Sequence, residues 1–184
     1  MARPRMIDQD SVLDAAETVV GRDGAAHLTL DAVASEAAIS KASVIYDYGS
    51  KQSLIRAVVE RRVKLETEKI REATEKLGDV PDADVRGRIV AAGAGYDTSE
   101  AVALNLCSAL AQDAELRGGL RDLYRQQVDA IIANSPQPRR AITAFLAVEG
   151  LKALECYGLL NWPAKQRKEI LEDIAALLDM DRNA

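Results

Sequence analysis

Lys41, Ser43, Tyr46 and Lys51 crowd into one short stretch, SKASVIYDYGSK. Two ammonium groups, a hydroxyl and a phenol can grip phosphates and touch the edges of base pairs, but they cannot by themselves make or break a covalent bond. Nothing elsewhere supplies the missing chemistry. The single histidine, His27, has no neighbouring cluster with which to hold a metal or run a triad, and it reads as structural. The chain shows no nucleophile and base set, no phosphate-binding glycine loop and no His/Cys metal spacing. Catalysis, a cofactor and a metal site are therefore not expected. Cys107 and Cys156, far apart in apolar helical patterns, read as reduced buried thiols.

The elements that must position these side chains are legible around them. Thr29 is a good N-cap for a helix that places Leu30, Val33, Ala34 and Ala37 on one apolar face. A tight Ala-Ala-Ile-Ser junction follows, and Ser40 caps a second short helix. That helix turns Lys41, Ala42, Ser43 and Tyr46 outward, with Val44 and Ile45 predicted inward. Two short helices joined this way form a helix-turn-helix, whose second helix enters a major groove. Thr29, Ser40, Lys41, Ala42, Ser43, Tyr46 and Lys51 are the candidate DNA-contacting set. The ordinary readings are that Tyr46 and Tyr48 plug a small core and that the lysines are merely solvated. Position in the motif favours DNA for Tyr46 and both lysines, and core for Tyr48.

Periodicity predicts an all-α chain, with no sustained alternation of period two. A first helix from about Asp10 to Arg22 buries Val12, Leu13, Ala16, Val19 and Val20, and Gly24 stops it. Another begins near Ser50 and runs to the break GDVPD. Beyond Pro81 a separate bundle is predicted over about 83–94, 99–111, 114–134, 137–160 and 164–179, with Asn161-Trp162-Pro163 joining the last two. This divides the chain into a helix-turn-helix domain over 1–51 and a helical ligand-binding and dimerisation domain over 52–184. Alanine-rich helices leave room for a cavity, and Tyr96, Asn105, Cys107, Tyr124 and Trp162 are its candidate lining. The stretch AITAFLAVEGLKALECYGLL is apolar on more than one face, and ILEDIAALLDM adds a second stripe. An isologous homodimer contact is expected there, through Glu149, Gly150, Leu151, Leu154 and Ile174, with Leu151 outward. Asn105 and Glu149, polar within apolar runs, each need a partner, on a neighbouring helix before a ligand.

Charge runs against the usual expectation for a nucleic-acid binder, since the net charge is −5 over 184 residues. Residues 1–51 hold five Lys/Arg against eight Asp/Glu, a net of −3. Placement must do what bulk charge does not, and Arg3, Arg5, Lys41 and Lys51 lie at elements suited to phosphate contact. No apolar run approaches the roughly 20 residues of a membrane helix, and MARPRMIDQD lacks the apolar stretch of a secretory signal, so a cytoplasmic protein without membrane partners is expected.

The motifs VLDAAETVVGRDG, LTLDAVASEAAIS and SKASVIYDYGSKQSLIRAV, over roughly residues 10–60, resemble the tetracycline-repressor (TetR) family of bacterial transcription regulators. The resemblance implies a three-helix DNA-binding domain, a long connecting helix, a ligand-sensing bundle and a terminal helix pair that forms a dimer. Lys51 aligns with the family lysine that opens the connecting helix and grips phosphate together with the helix N-terminal amides. Three positions depart from the family pattern: Ala42 where glycine or proline is usual, Ile45 where tyrosine is usual, and Tyr48 in place of phenylalanine. Tyr46 stands one position after the usual tyrosine. The function expected is a ligand-responsive DNA-binding regulator, a repressor released from a double-stranded DNA operator by an unidentified small-molecule effector. The rival is a helical binding protein or enzyme whose N-terminal trihelix does not bind DNA.

Overall fold

The computed structural model describes residues 8–94 and 113–179, together with Val102 and Leu106. Every regular element among them is helical. The chain falls into two compact units, Met1–Val63 with Thr98–Asp113, and Lys64–Asp97 with Ala114–Ala184.

In the first unit, α1 (Gln9–Asp23) is capped by Asp8, whose carboxylate accepts from the Asp10 amide at 3.2 Å. It buries Val12, Leu13, Ala16, Val19 and Val20, the predicted stripe. Gly24, at φ 85°, ends it by donating its N–H to the Val20 carbonyl. A single 3-10 turn (Ala25–His27) leads to α2 (Leu30–Glu36) and α3 (Lys41–Tyr48). The turn between them is tightened by Ala38 at φ 53°, a left-handed conformation that costs an L-residue roughly 1–2 kcal/mol. Gly49, at φ 68°, closes α3 and lets α4 (Lys51–Leu77) start almost at once.

Residues Lys51–Val63 of α4 belong to this unit and seal it with Leu54, Ile55, Val58 and Val59, all buried. An ionic clamp backs the aliphatic contact. Glu17, buried on α1, receives both Arg61 and Arg62 from α4, and Asp14 adds a contact to Arg61 at 2.8 Å. Burying one carboxylate between two guanidiniums satisfies its lone pairs, which an isolated buried charge could not achieve.

The second unit takes Lys64–Leu77 of α4 with α5 (Ala83–Gly93), α6 (Ala114–Asn134), α7 (Pro138–Cys156) and α8 (Ala164–Ala176). Its core gathers Val85, Ile89, Phe145, Val148, Leu151 and Leu171, with Trp162 packed partly buried against it. Gly87 lets α5 approach α4 closely, because a Cβ there would lie 2.1 Å from Thr74 Oγ1 and 2.9 Å from its backbone nitrogen. Helix α6 runs through Gly118-Gly119 without a break. Arg167 of α8 ties this end together, bonding Glu155 at 2.7 Å and the Ala92 carbonyl at 2.8 Å.

Three expectations are corrected here. The helix predicted over 137–160 ends at Cys156, because Gly158 at φ 65° lets the Leu159 and Leu160 amides fold back onto the Leu154 carbonyl. Leu151 points inward and is buried, since it continues the stripe of Ala141, Ala144 and Val148 at helical spacing. Ile45 is 42% exposed, because the inward face of α3 is carried by Val44 with half-buried Asp47 and Tyr48, roughly one turn on. The predicted helix over 99–111 lies largely outside the described residues. Among the described residues, no helix is long and apolar enough to cross a membrane.

Candidate functional site

The outer face of α3 is built by its caps. Ser40 Oγ accepts from the Ser43 amide at 3.1 Å, and Thr29 Oγ1 accepts from the Ala32 amide at 3.0 Å, so both hydroxyls are engaged in starting helices. Ser43 is half-buried, and its hydroxyl lies 2.8 Å from that of Ser40. Lys41, Ala42, Ile45 and Tyr46 are left exposed, with Tyr46 at 88%. Tyr46 is left almost wholly to solvent and Ile45 partly so, and thymine methyls and sugar faces are the kind of surface that covers such groups in a major groove.

The cations around α3 are not idle. Lys41 Nζ pairs with Asp31 of α2 at 2.7 Å, with both side chains exposed. Lys51, at the α4 N-terminus, is half-buried and reaches the Ala26 carbonyl of the 3-10 turn at 3.5 Å. Ser50 caps the same helix, its Oγ accepting from the Ser53 amide at 3.1 Å. Arg22 pairs with Asp23 and with Glu36 at 2.8 Å, which raises its pKa through those hydrogen bonds and ties the end of α1 to α2. Tyr48 is half-buried and donates to the Gln9 carbonyl at 3.4 Å, and burial pushes its phenol above the ordinary value, so it acts as a neutral donor bracing α1. His27 is exposed at the end of the 3-10 turn.

Within the second unit lies a cavity of about 370 Å³, bounded by α4, α5, α6 and α7. Ile70, Val85, Leu123, Ile131 and Phe145 supply its apolar walls. Two polar residues stand out. Arg88, buried, bonds Glu149 at 2.7 Å and lies over the Phe145 ring at 4.9 Å from its centroid. Gln127 Oε1 is fully buried and accepts no hydrogen bond from any described residue. An unbonded buried amide oxygen carries a desolvation penalty of about 1–3 kcal/mol, which a ligand's donor would relieve.

Of the sequence-predicted lining, Tyr96, Asn105 and Cys107 lie outside the described residues. Tyr124 donates to Glu149 Oε2 at 3.0 Å and meets the Phe145 ring edge-on, and neither it nor Trp162 lines this cavity. Trp162 Nε1 is instead buried without a partner among the described residues. Arg88 and Gln127 went unnoticed in the sequence; the signal available was a cation three residues after Val85 on an apolar stripe and a glutamine pair in an amphipathic helix. Glu149 finds the neighbouring-helix partner expected of it. Ile174 sits with Leu151 in the unit's own core, whereas Gly150 and Leu154 are exposed.

Solved structures share this architecture from end to end. A transcriptional regulator from Rhodococcus sp. Rha1 superposes with a TM-score of 0.73 at 17% identity, over 94% of this chain and 96% of that one. A Saccharomonospora viridis protein in complex with choline gives 0.71 at 18% identity, over 91% and 95%. The multidrug binding protein EbrR, complexed with malachite green, gives 0.67 at 21% identity, over 92% and 97%. No curated protein sequence matches the chain. Two family descriptions do match it: "Bacterial regulatory proteins, tetR family" over residues 12–58, and "Tetracyclin repressor-like, C-terminal domain" over 83–179, just over half of the chain. With a capped reading helix in the first unit and a helical bundle in the second, the chain belongs to the tetR family of DNA-binding bacterial transcription regulators.

Proposed function

We propose that the protein is a homodimeric repressor, released from its operator when a small molecule enters the cavity of the second unit. The observation that carries this reading is the cavity itself, apolar-walled and holding a buried amide oxygen that no described residue bonds. Its volume falls at the small end of the about 300–1,000 Å³ range of ligand pockets. The complexes of EbrR with malachite green and ethidium, and of the Saccharomonospora protein with choline, support a ligand role for a bundle of this architecture.

The response would run through α4. Ile70 and Thr74 of that helix line the cavity, and its first residues belong to the DNA-facing unit. A ligand that binds one setting of α4 better than another shifts the population of reading-competent dimers by its differential affinity. The dimer contact is assigned to the exposed ridge Leu146, Gly150 and Leu154 of α7, spaced one turn apart, extended by Tyr157 and Leu159. A charge at Leu154 should yield monomers in sedimentation analysis, and a parent chain monomeric at micromolar concentration would sink the dimer.

Selection of an operator from random DNA, followed by binding across a range of salt, tests the regulator. Lys51→Ala should weaken all sequences alike and flatten the salt dependence by about one unit of slope per phosphate no longer neutralised. Tyr46→Ala should change which bases are preferred, by roughly 1–3 kcal/mol for each base edge it touches. Lys51 and Tyr46 variants that bind as the parent does would remove both residues from the DNA contact, and a parent that selects no operator would be a helical binding protein with an N-terminal trihelix that does not read DNA.

A further inference from the structure

We propose that the cavity of the second unit selects a compact, mainly apolar molecule carrying one protonated amine, and rejects the carboxylate of the same shape. The inference rests on the reading of that cavity as the effector site and adds the chemical class of the effector.

The sign of the charge follows from which charged groups are already matched. Arg88 is neutralised by Glu149 at 2.7 Å and covered on one face by Phe145. Arg71, the other cation of the lining, is held by Glu68 and Glu75, and that pairing keeps the Glu68 carboxyl below its usual range. An anionic ligand would therefore compete with carboxylates already in place. Asp84 differs: it lines the cavity and makes no ion pair or side-chain hydrogen bond with any described residue.

A second hollow adjoins the cavity and shares Asp84, Val85, Ala130 and Ile131 with it. Asp79 and Asp82 also line that hollow, and none of its lining residues is Lys or Arg. Carboxylates concentrated beside low-dielectric walls raise the local concentration of cations. Inside, Gln127 Oε1 is the side-chain acceptor buried from water that no described residue bonds. It takes an N–H. An ammonium can donate to Gln127 while Asp84 balances its charge, and the aliphatic and aromatic walls cover the rest of the molecule.

The test uses three probes of one shape, tryptamine, tryptophol and indoleacetate, titrated into the full chain without DNA and followed by calorimetry. Tryptamine should bind at least about tenfold more tightly than tryptophol, and indoleacetate more weakly than either. Asp84→Asn, an exposed substitution that leaves the core alone, should erase the amine-over-alcohol preference. Gln127→Leu should weaken amine and alcohol alike by about tenfold. Indoleacetate binding as tightly as tryptamine, tryptamine failing to bind, or an Asp84→Asn protein that keeps the preference would overturn the proposal. Operator affinity measured with and without tryptamine separates the two readings. An amine that binds with the stated preference yet leaves operator affinity unchanged defeats derepression and leaves the ligand class standing.

Discussion

Each unit buries polar side chains and leaves a polar atom without a hydrogen-bond partner among the described residues, Arg61 Nε in the first and Gln127 Oε1 and Trp162 Nε1 in the second, but the surroundings of those atoms differ. In the first, Glu17 is locked by Arg61 and Arg62, and the cap hydroxyls of Thr29 and Ser40 are each bonded to a backbone amide. Its candidate DNA-contacting side chains Lys41 and Tyr46 lie on the outside, on a short helix packed from beneath. In the second, Glu149 is likewise partnered, by Arg88 and Tyr124, but Gln127 Oε1 is buried with nothing to accept from and a cavity opens beside it. A surface that reads a rigid duplex gains from a rigid support, whereas a site that must respond to a ligand needs an interior left incomplete.

The largest effect is expected at Glu17, on which the rigidity of the first unit depends. Glu17→Ala takes its carboxylate from part-buried Arg62 and leaves Arg61, among the described residues, only the exposed Asp14 and Asp10, and should destabilise by about 3 kcal/mol. At about 2–4 °C per kcal/mol for a chain of this size, thermal unfolding should begin markedly earlier, and operator binding should be lost with it. If the melting temperature is unmoved, α1 and α4 are not held by that clamp.

Next in size is Gly87→Ala in the second unit. The new methyl meets Thr74 where nothing but a hydrogen fits, so α5 must move off α4 at a cost of about 1–3 kcal/mol. The same shift should alter ligand affinity, because Thr74 lines the cavity. A full-length chain with unchanged unfolding and unchanged probe binding would show that the helices part freely.

Gln127→Leu should act in the other direction. Removing a buried amide oxygen that accepts no hydrogen bond from any described residue should raise stability by about 1 kcal/mol while weakening ligand. Calorimetric unfolding of the variant checks it, and a loss of stability would mean the amide is partnered after all.

The smallest effect belongs to the exposed pair Lys41–Asp31. Asp31→Asn should change stability by less than about 1 kcal/mol, yet it frees an ammonium on the reading helix and removes a carboxylate near it. Operator binding should tighten and its salt dependence steepen by about one unit of slope for each further phosphate that Lys41 neutralises. Unaltered salt dependence would place Lys41 away from phosphate.

Local rules that need only neighbouring residues were legible in the sequence. Thr29 and Ser40 cap as their side chains dictate, Gly24 ends α1, and the α1 stripe from Val12 to Val20 faces inward because helical periodicity leaves it no other face. The helix-turn-helix could thus be read along with its outward Lys41 and Tyr46. The orientation of Leu151 could not, because α7 is apolar on more than one face and only the arrangement of α5 and α8 around it decides which face is core. Nor could the cavity. Arg88 and Gln127 stand far apart in sequence, on different helices, and line one cavity because Gly87 lets α5 close onto α4 and α6 packs beside α7. Capping and periodicity act within a few residues and belong to the chain by itself; the cavity, its charge and its unbonded amide arise from how several helices fail to fill the space between them, which tertiary packing alone decides.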